Sequence, residues 1–281
     1  MSAAPAIVLL GQGGLAAALR IREALPHGTL HAPRGRVQGA CDAVAYDELA
    51  ACLRDLYRAG RPILALCAAG IVIRLLAPLL ADKRAEPPVV AIAEDGSAVV
   101  PLLGGHRGAN RLAHAVAEAL GGRAAITTAG DVRFDLALDE PPQGFVLRNP
   151  EAAKPIMSAL LDGRAVALRI EAGDADWLTA GGAPFAATGD YEVTLTDRDE
   201  AGSKKHLVIH PRVLALGVGC ERDTPPDELL ELVETTLARH GLARAAIACV
   251  ASIELKAGEP AMLALAEALG VPLRLFSAAA L

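Results

Sequence analysis

The sequence predicts an α/β protein: two α/β domains with glycine-rich strand-to-helix loops, joined by a small strand-rich connector. Three observations carry that expectation. Short runs of Ala, Val, Ile and Leu alternate with helix-length amphipathic segments. Several of these runs end in clustered glycines, as at Gly11-Gln12-Gly13-Gly14 and Gly104-Gly105. The composition is 53% hydrophobic but only 3% aromatic, so the core must be built from small aliphatics, as in parallel sheets buried on both faces.

Taken in order, residues 7–10 read as a strand that runs through the first glycine cluster into a helix over 15–25. Residues 63–66 form the next strand, followed by Cys67-Ala68-Ala69-Gly70 and a helix carrying Arg74 that Pro78 should kink or end. After Pro87-Pro88, strands over 89–93 and 98–103 flank Asp95-Gly96, a hairpin signal. Gly104-Gly105-His106-Arg107-Gly108-Ala109-Asn110 then leads into a helix with Leu112, Val116 and Leu120 on one face, ended by Gly121-Gly122. A strand over 124–128 closes the first domain, 1–133. Residues 134–211 are broken by Pro141-Pro142, Asn149-Pro150 and Gly181-Gly182, and read as a linker and small strand-rich segment with short strands over 165–170, 191–196 and 206–209. From 212 to 281 the α/β grammar returns as a compact βαβαβ unit. Its strands are expected at 213–218, 247–251 and 273–276. Thr224 is expected to cap the first helix, with Pro225 at its first position.

Bulk properties exclude several classes. A net charge of −6 argues against a broad nucleic-acid surface, though arginines can still gather at one cleft. No apolar stretch approaches the roughly 20 residues needed to span a bilayer, and the N-terminus has no signal-peptide pattern. A cytoplasmic protein is the expectation. Five scattered cysteines without a Cys-x-x-Cys pair, and seven histidines without ligand spacing, point to neither a disulfide framework nor a metal site. The early glycine cluster is not Gly-x-Gly-x-x-Gly and lacks a ribose-binding acid about 20 residues on, so no dinucleotide is expected.

Three groups of segments together resemble the cobalt-precorrin-5A hydrolase (CbiG) family of cobalamin biosynthesis. The first is Gly70-Ile71-Val72-Ile73-Arg74 with Ala77-Pro78-Leu79-Leu80-Ala81-Asp82-Lys83. The second is Pro101-Leu102-Leu103-Gly104-Gly105-His106 with Gly108-Ala109-Asn110 and Ile126-Thr127-Thr128-Ala129-Gly130-Asp131. The third is Leu216-Gly217-Val218-Gly219-Cys220-Glu221-Arg222-Asp223-Thr224 with Ala251-Ser252-Ile253-Glu254-Leu255-Lys256-Ala257-Gly258-Glu259-Pro260. The resemblance implies hydrolysis of the ring A lactone of cobalt-precorrin-5A, with release of acetaldehyde to give cobalt-precorrin-5B. It implies no cofactor of the protein's own, the cobalt being carried by the substrate. Family chains usually continue past the motif near residue 277, so a C-terminal domain shortened at Leu281 is expected. Some relatives are fused to a precorrin methyltransferase. That leaves such a fusion, other cobalamin-pathway enzymes or a second copy as partners, and a non-catalytic corrinoid carrier as the alternative function.

Lactone opening followed by carbon–carbon cleavage needs a general base, an oxyanion stabiliser and cations for the substrate's carboxylates. His106, in a glycine-rich turn before a helix, is the first candidate base, because amides of that helix start could face an anion beside it. Asp131, after a strand end, is the other. Arg74, Lys83 and Arg107 are candidate carboxylate clamps, Arg74 because it interrupts an apolar helix face. Gly70, Gly104, Gly105 and Gly219 would let backbone approach a ligand. Asn110 is either a helix cap or a substrate contact, and Thr127 and Thr128 could orient water or substrate. Ser252 and Lys256 follow the second strand of the last domain in the same sense as Gly219, so they could gather at one edge. Cys220 has no base nearby in sequence and reads as structural. The two glycine-loop lobes are expected to share one cationic pocket, with His106 and Arg74 on the same basin.

Overall fold

A computed structural model describes residues 4–39, 42–82 and 85–277, with His106 described by its backbone alone. The chain divides into two compact units, Met1–Thr128 and Ala129–Leu281.

The first unit contains β1 (Ala6–Leu9), α1 (Leu15–Ala24), β2 (Thr29–Pro33), β3 (Val44–Tyr46), α2 (Leu49–Arg58), β4 (Ile63–Leu66), α3 (Ala69–Leu76), β5 (Val89–Ile92), β6 (Ala98–Leu103), α4 (Ala109–Leu120) and β7 (Arg123–Ala124). Its seven strands form one sheet in the order β3-β2-β1-β4-β5-β6-β7. The five strands from β3 to β5 in that order are parallel, β6 pairs with β5 antiparallel, and β7 runs with β6. Alternate residues of a strand face opposite sides, and the cores follow that period. Ile7, Leu9, Leu64 and Leu66 pack with Ile21 of α1 and Val116 of α4. Ala6, Val8, Ile63 and Ala65 pack with Leu53 of α2 and Val72 and Leu76 of α3. Both faces are covered, which explains the continuous aliphatic runs.

The second unit contains α5 (Ala129–Phe134), β8 (Phe145–Leu147), α6 (Ala153–Leu161), β9 (Val166–Ile170), α7 (Asp176–Thr179), β10 (Tyr191–Leu195), β11 (His206–Pro211), β12 (Leu214–Gly217), α8 (Pro226–His240), β13 (Ile247–Ile253), α9 (Pro260–Leu269) and β14 (Leu273–Phe276). A four-stranded sheet, β8-β11-β10-β9, is parallel apart from β8. Ile156, Ala159 and Leu160 of α6 cover its face made by Val193, Leu195, Leu207 and Ile209. A three-stranded parallel sheet, β12-β13-β14, buries Ile247 and Val250 under Leu229, Val233 and Leu237 of α8 and Met262 and Leu265 of α9.

Several elements depart from the sequence reading. The segment 29–58 holds β2, β3 and α2, which the sequence reading leaves unassigned; Leu49, Leu53 and Leu56 carry the helical period there. Residues 134–211 carry their own buried core, and their Pro and Gly breaks punctuate a folded sheet. The boundary drawn at 133/134 cuts α5, whereas the contacts divide at 128/129. Only Arg123 and Ala124 form β7, shorter than expected. Thr224 does not cap α8: its hydroxyl donates to the Glu221 carbonyl (3.0 Å), and the helix starts at Pro226.

Candidate functional site

The Gly104–Gly108 turn is built around a contact only glycine permits. Gly104 has φ +72°, and a Cβ there would sit 2.5 Å from the Pro87 carbonyl oxygen. This close approach follows from the β5–β6 hairpin, whose register sets Leu103 against Val89. The turn spends its own amides: Arg107 and Ala109 N–H donate to the Gly104 carbonyl at 2.9 and 3.1 Å, and Gly108 N–H to that of Gly105. These groups are therefore not the free anion cradle that the sequence suggests. The side chain of His106 lies outside the described residues, so its role as base stays a proposal. Gly105 and Arg107 are exposed. Beside the turn lies a cavity of about 390 Å³ lined by Arg107, Arg111, His27, Pro5, Pro62 and Pro88.

Asn110 and Thr128 meet at this same edge. Asn110 is the second residue of α4, 8% exposed, and its Nδ2 donates to Thr128 Oγ1 at 2.7 Å. It is thus a buried tie to the β7 exit and not a helix cap. Thr127 is exposed beside it. Asp131 lies in the first turn of α5, in the second unit.

Gly70 and Arg74 belong to the other edge. Gly70 follows the carboxyl end of β4, whereas Gly104 abuts Pro87, just before the amino end of β5, the parallel neighbour of β4. A four-residue strand separates these edges by on the order of 13 Å. Arg74 is exposed, and its Nη1 donates to the Gly70 carbonyl at 3.0 Å, which folds the guanidinium back along α3 towards Gly70. The expectation that it interrupts a buried face is corrected: it shares a solvent face with Ile73. The single basin joining His106 and Arg74 is corrected as well. The hairpin reverses β6, so the loops after β4 and β6 leave opposite sides of the sheet. The signal was present in Asp95-Gly96, because a hairpin turns every later motif around. Lys83 lies outside the described residues.

In the last sheet all strands run one way, and the expected residues do share an edge. Ser252 Oγ donates to the Val218 carbonyl at 2.8 Å, tying the β13 exit to the β12 exit that Gly219 continues. Lys256 is committed to Glu259, Nζ to Oε2 at 3.1 Å, with side chains only 18% and 8% exposed. The other oxygen of Glu259 accepts the N–H of Asp223, a residue at φ +59°. Glu259 thus joins both loops. The sequence places Glu259 after the same strand as Ser252 and Lys256, and its i,i+3 spacing from Lys256 is a pairing signal. A cavity of about 730 Å³ opens here, lined by Gly219, Cys220, Arg222, Asp223, Thr224 and Glu228.

Thiol chemistry is not favoured at Cys52 or Cys67, the described cysteines of the first unit. Burial, assisted by the Glu94 carboxylate, pushes the Cys67 thiol up to about 11, and burial with Asp55 does the same for Cys52. Burial lowers His31 below its usual range, with the Arg61 charge adding to the effect. Among the described residues, no group of His, Cys, Asp and Glu is gathered as a metal site, and no helix is long and apolar enough to cross a membrane.

Two family models match the chain, cobalamin synthesis G N-terminal over residues 51–131 and cobalamin synthesis G C-terminus over 214–281. A cobalt-precorrin-5A hydrolase of Priestia megaterium is 29% identical over 78% of the chain, which spans 64% of that relative's length. A cobalt-precorrin-5A hydrolase of Salmonella typhimurium is 31% identical over 98% of the chain and 82% of its own length. Protein CobE of Sinorhizobium sp is 46% identical over 68 residues, 24% of the chain and 44% of that protein. Among solved structures, a cobalamin biosynthesis protein G homologue from Sulfolobus solfataricus aligns with 98% of the chain and 80% of its own, at 20% identity and a TM-score of 0.43. With both family models matched and a relative 31% identical across nearly the whole chain, this chain belongs to the cobalamin synthesis G (CbiG) family.

Proposed function

We propose that this chain is a cobalt-precorrin-5A hydrolase of cobalamin biosynthesis. Water opens the ring A lactone, and the former C20 carbon with its methyl group leaves as acetaldehyde, giving cobalt-precorrin-5B. The observation that carries this reading is the likeness to two proteins of that name, one matched over 98% of the chain. The reaction adds water and moves protons, so it calls for a base, an oxyanion donor and carboxylate-binding cations. His106 or Asp131 serves as base. Arg107 holds a substrate carboxylate at the edge where Asn110 and Thr128 are tied together, and that tie keeps the loop after β7 in place for it. Gly70 and Arg74, at the other edge, touch only the periphery of the substrate, and Lys83 is a further carboxylate clamp. Gly219, Ser252 and Lys256 line a corrinoid-facing edge of the second unit; Lys256 acts from within its pair with Glu259. The protein brings no cofactor, cobalt arriving with the substrate, and works in the cytoplasm. Its partners are the corrinoid itself and neighbouring enzymes of the pathway, a fused methyltransferase or a second copy included.

The test is anaerobic incubation of the pure chain with cobalt-precorrin-5A and chemical trapping of acetaldehyde. Stoichiometric acetaldehyde is expected; substrate binding without any release sinks the reading. The alternative reading is a non-catalytic corrinoid carrier, and binding without release is its signature.

A further inference from the structure

Three buried side-chain polar atoms of the second unit lack a partner among the described residues: Trp177 Nε1, Glu200 Oε2 and His210 Nε2. Of these the last lies on a residue that lines a cationic cavity. His210 on β11 is 1% exposed and lies on the face opposite Ile209, away from the core under α6. Its Nδ1 lies 2.9 Å from the Thr196 carbonyl oxygen. A carbonyl has no proton to give, so Nδ1 is the donor, and Nε2 is left as the ring's remaining hydrogen-bonding atom. Nε2 is buried and has no partner. Buried polar atoms are paired in nearly all folded proteins, and an exception calls for a missing partner.

His210 lines a cavity of about 370 Å³ together with Arg148, Arg212, Arg244 and Asp199. Three guanidinium groups against one carboxylate leave the lining cationic. Their donors are only partly used. Arg148 meets Asp199 at 3.8 Å, and Arg212 Nη1 donates to the Ile247 carbonyl at 3.0 Å. Arg244 is taken by Glu234 at 2.6 Å and by the Ala268 carbonyl. The Arg148 and Arg212 forks therefore keep N–H groups for an incoming acceptor.

We propose that this cavity is a binding site for one carboxyl group of a small organic acid. A carboxyl group satisfies the whole lining at once. Its proton sits between one oxygen and Nε2, and both oxygens accept from Arg148 and Arg212. The volume suits a single acid arm, not a macrocycle. Where the acid belongs to a corrin, the site deepens the hydrolase reading by assigning a residue set that anchors a substrate arm; that identification rests on the reading above, and the site itself does not.

The experiment uses the full chain labelled with 15N at its histidine rings. The Nε2 resonance of His210 is assigned by its loss in His210→Asn, whose amide keeps a donor for the Thr196 carbonyl. Two probes are titrated: dicyanocobyrinic acid, a corrin with free carboxylates, and citrate. Cyanocobalamin, whose arms are amides, is the control. A saturable shift of that resonance with cobyrinic acid, absent with cyanocobalamin, supports a corrin acid. A shift with citrate alone supports a free small acid. Arg148→Gln is expected to weaken either binding about tenfold, the loss of one charge-assisted hydrogen bond. An unmoved resonance with both acids overturns the site, as does unchanged affinity in Arg148→Gln. If His210→Asn fails to fold, the affinities of the unsubstituted chain and Arg148→Gln for both acids, measured by equilibrium dialysis, still decide. Acetaldehyde release with an unmoved His210 sinks this site alone; a shifted His210 without release sinks the hydrolase reading alone.

Discussion

The seven-stranded sheet of the first unit and the three-stranded sheet at the C-terminus use the same device, a strand running into a glycine-rich loop and a helix, with different results. In β12-β13-β14 every strand points the same way, so Gly219, Ser252 and Lys256 reach one edge in the order that the sequence lists them. In the first unit the β5–β6 hairpin reverses direction. Motifs before it, Gly70 and Arg74, exit on one side, and motifs after it, Gly104 to Asn110 with Thr127 and Thr128, exit on the other. Strand direction, not motif order, decides which loops meet.

The comparison can be broken most directly at its glycines. Gly104→Ala combines a positive φ with a Cβ against the Pro87 carbonyl, and should cost about 3 kcal/mol. Gly219→Ala meets nothing within 4 Å and should stay within about 0.5 kcal/mol. Urea unfolding of both variants checks this, and equal losses would remove the distinction between a packed turn and an open loop. Next in size is Glu259→Ala, which strands Lys256 and frees the Asp223 amide. It should destabilise by about 2 kcal/mol. Hydrogen exchange should place the loss at the β12 and β13 exits; an even loss across both units would contradict the joining role.

Activity sharpens the contrast between the two edges. Thr128→Val removes the acceptor of the Asn110 amide at about 1 kcal/mol of stability, and should lower kcat/KM for acetaldehyde release about tenfold. Arg74→Gln, at the opposite edge, should change it less than about twofold. The reverse ranking would move the chemistry to the β4 edge. The smallest effect is in pH dependence. His31 is held below its unfolded value of 6.5 by burial and by Arg61, so the folded first unit resists its protonation while the unfolded chain accepts it. This contribution is present above pH 6.5 and is lost as pH falls through the lowered folded value. Stability measured from pH 7.5 downwards should fall less steeply in His31→Gln; identical slopes would discard His31 as a source.

Much of the candidate site was legible as residue type and little of it as arrangement. The glycine turn, Asn110, Thr128, Ser252 and Lys256 stand in segments that resemble a known family, and each lies at a strand exit. What the sequence does not show is the partner each of them has in the fold. Asn110 spends its amide on Thr128, Lys256 its charge on Glu259, and the turn at Gly104 its N–H groups on its own carbonyls. His210 and its arginines left no trace in the pattern. A histidine in an alternating strand looks the same whether its second nitrogen is paired or bare.

By itself the sequence determined the α/β class, the hairpin at Asp95-Gly96, the βαβαβ ending and the family, since these rest on local period, turn chemistry and contiguous motifs. Tertiary structure alone decided the order of strands in each sheet, the folded core of the supposed connector and which loops share an edge. Such pairings join residues far apart in the chain, and no local propensity encodes which strand will lie beside which.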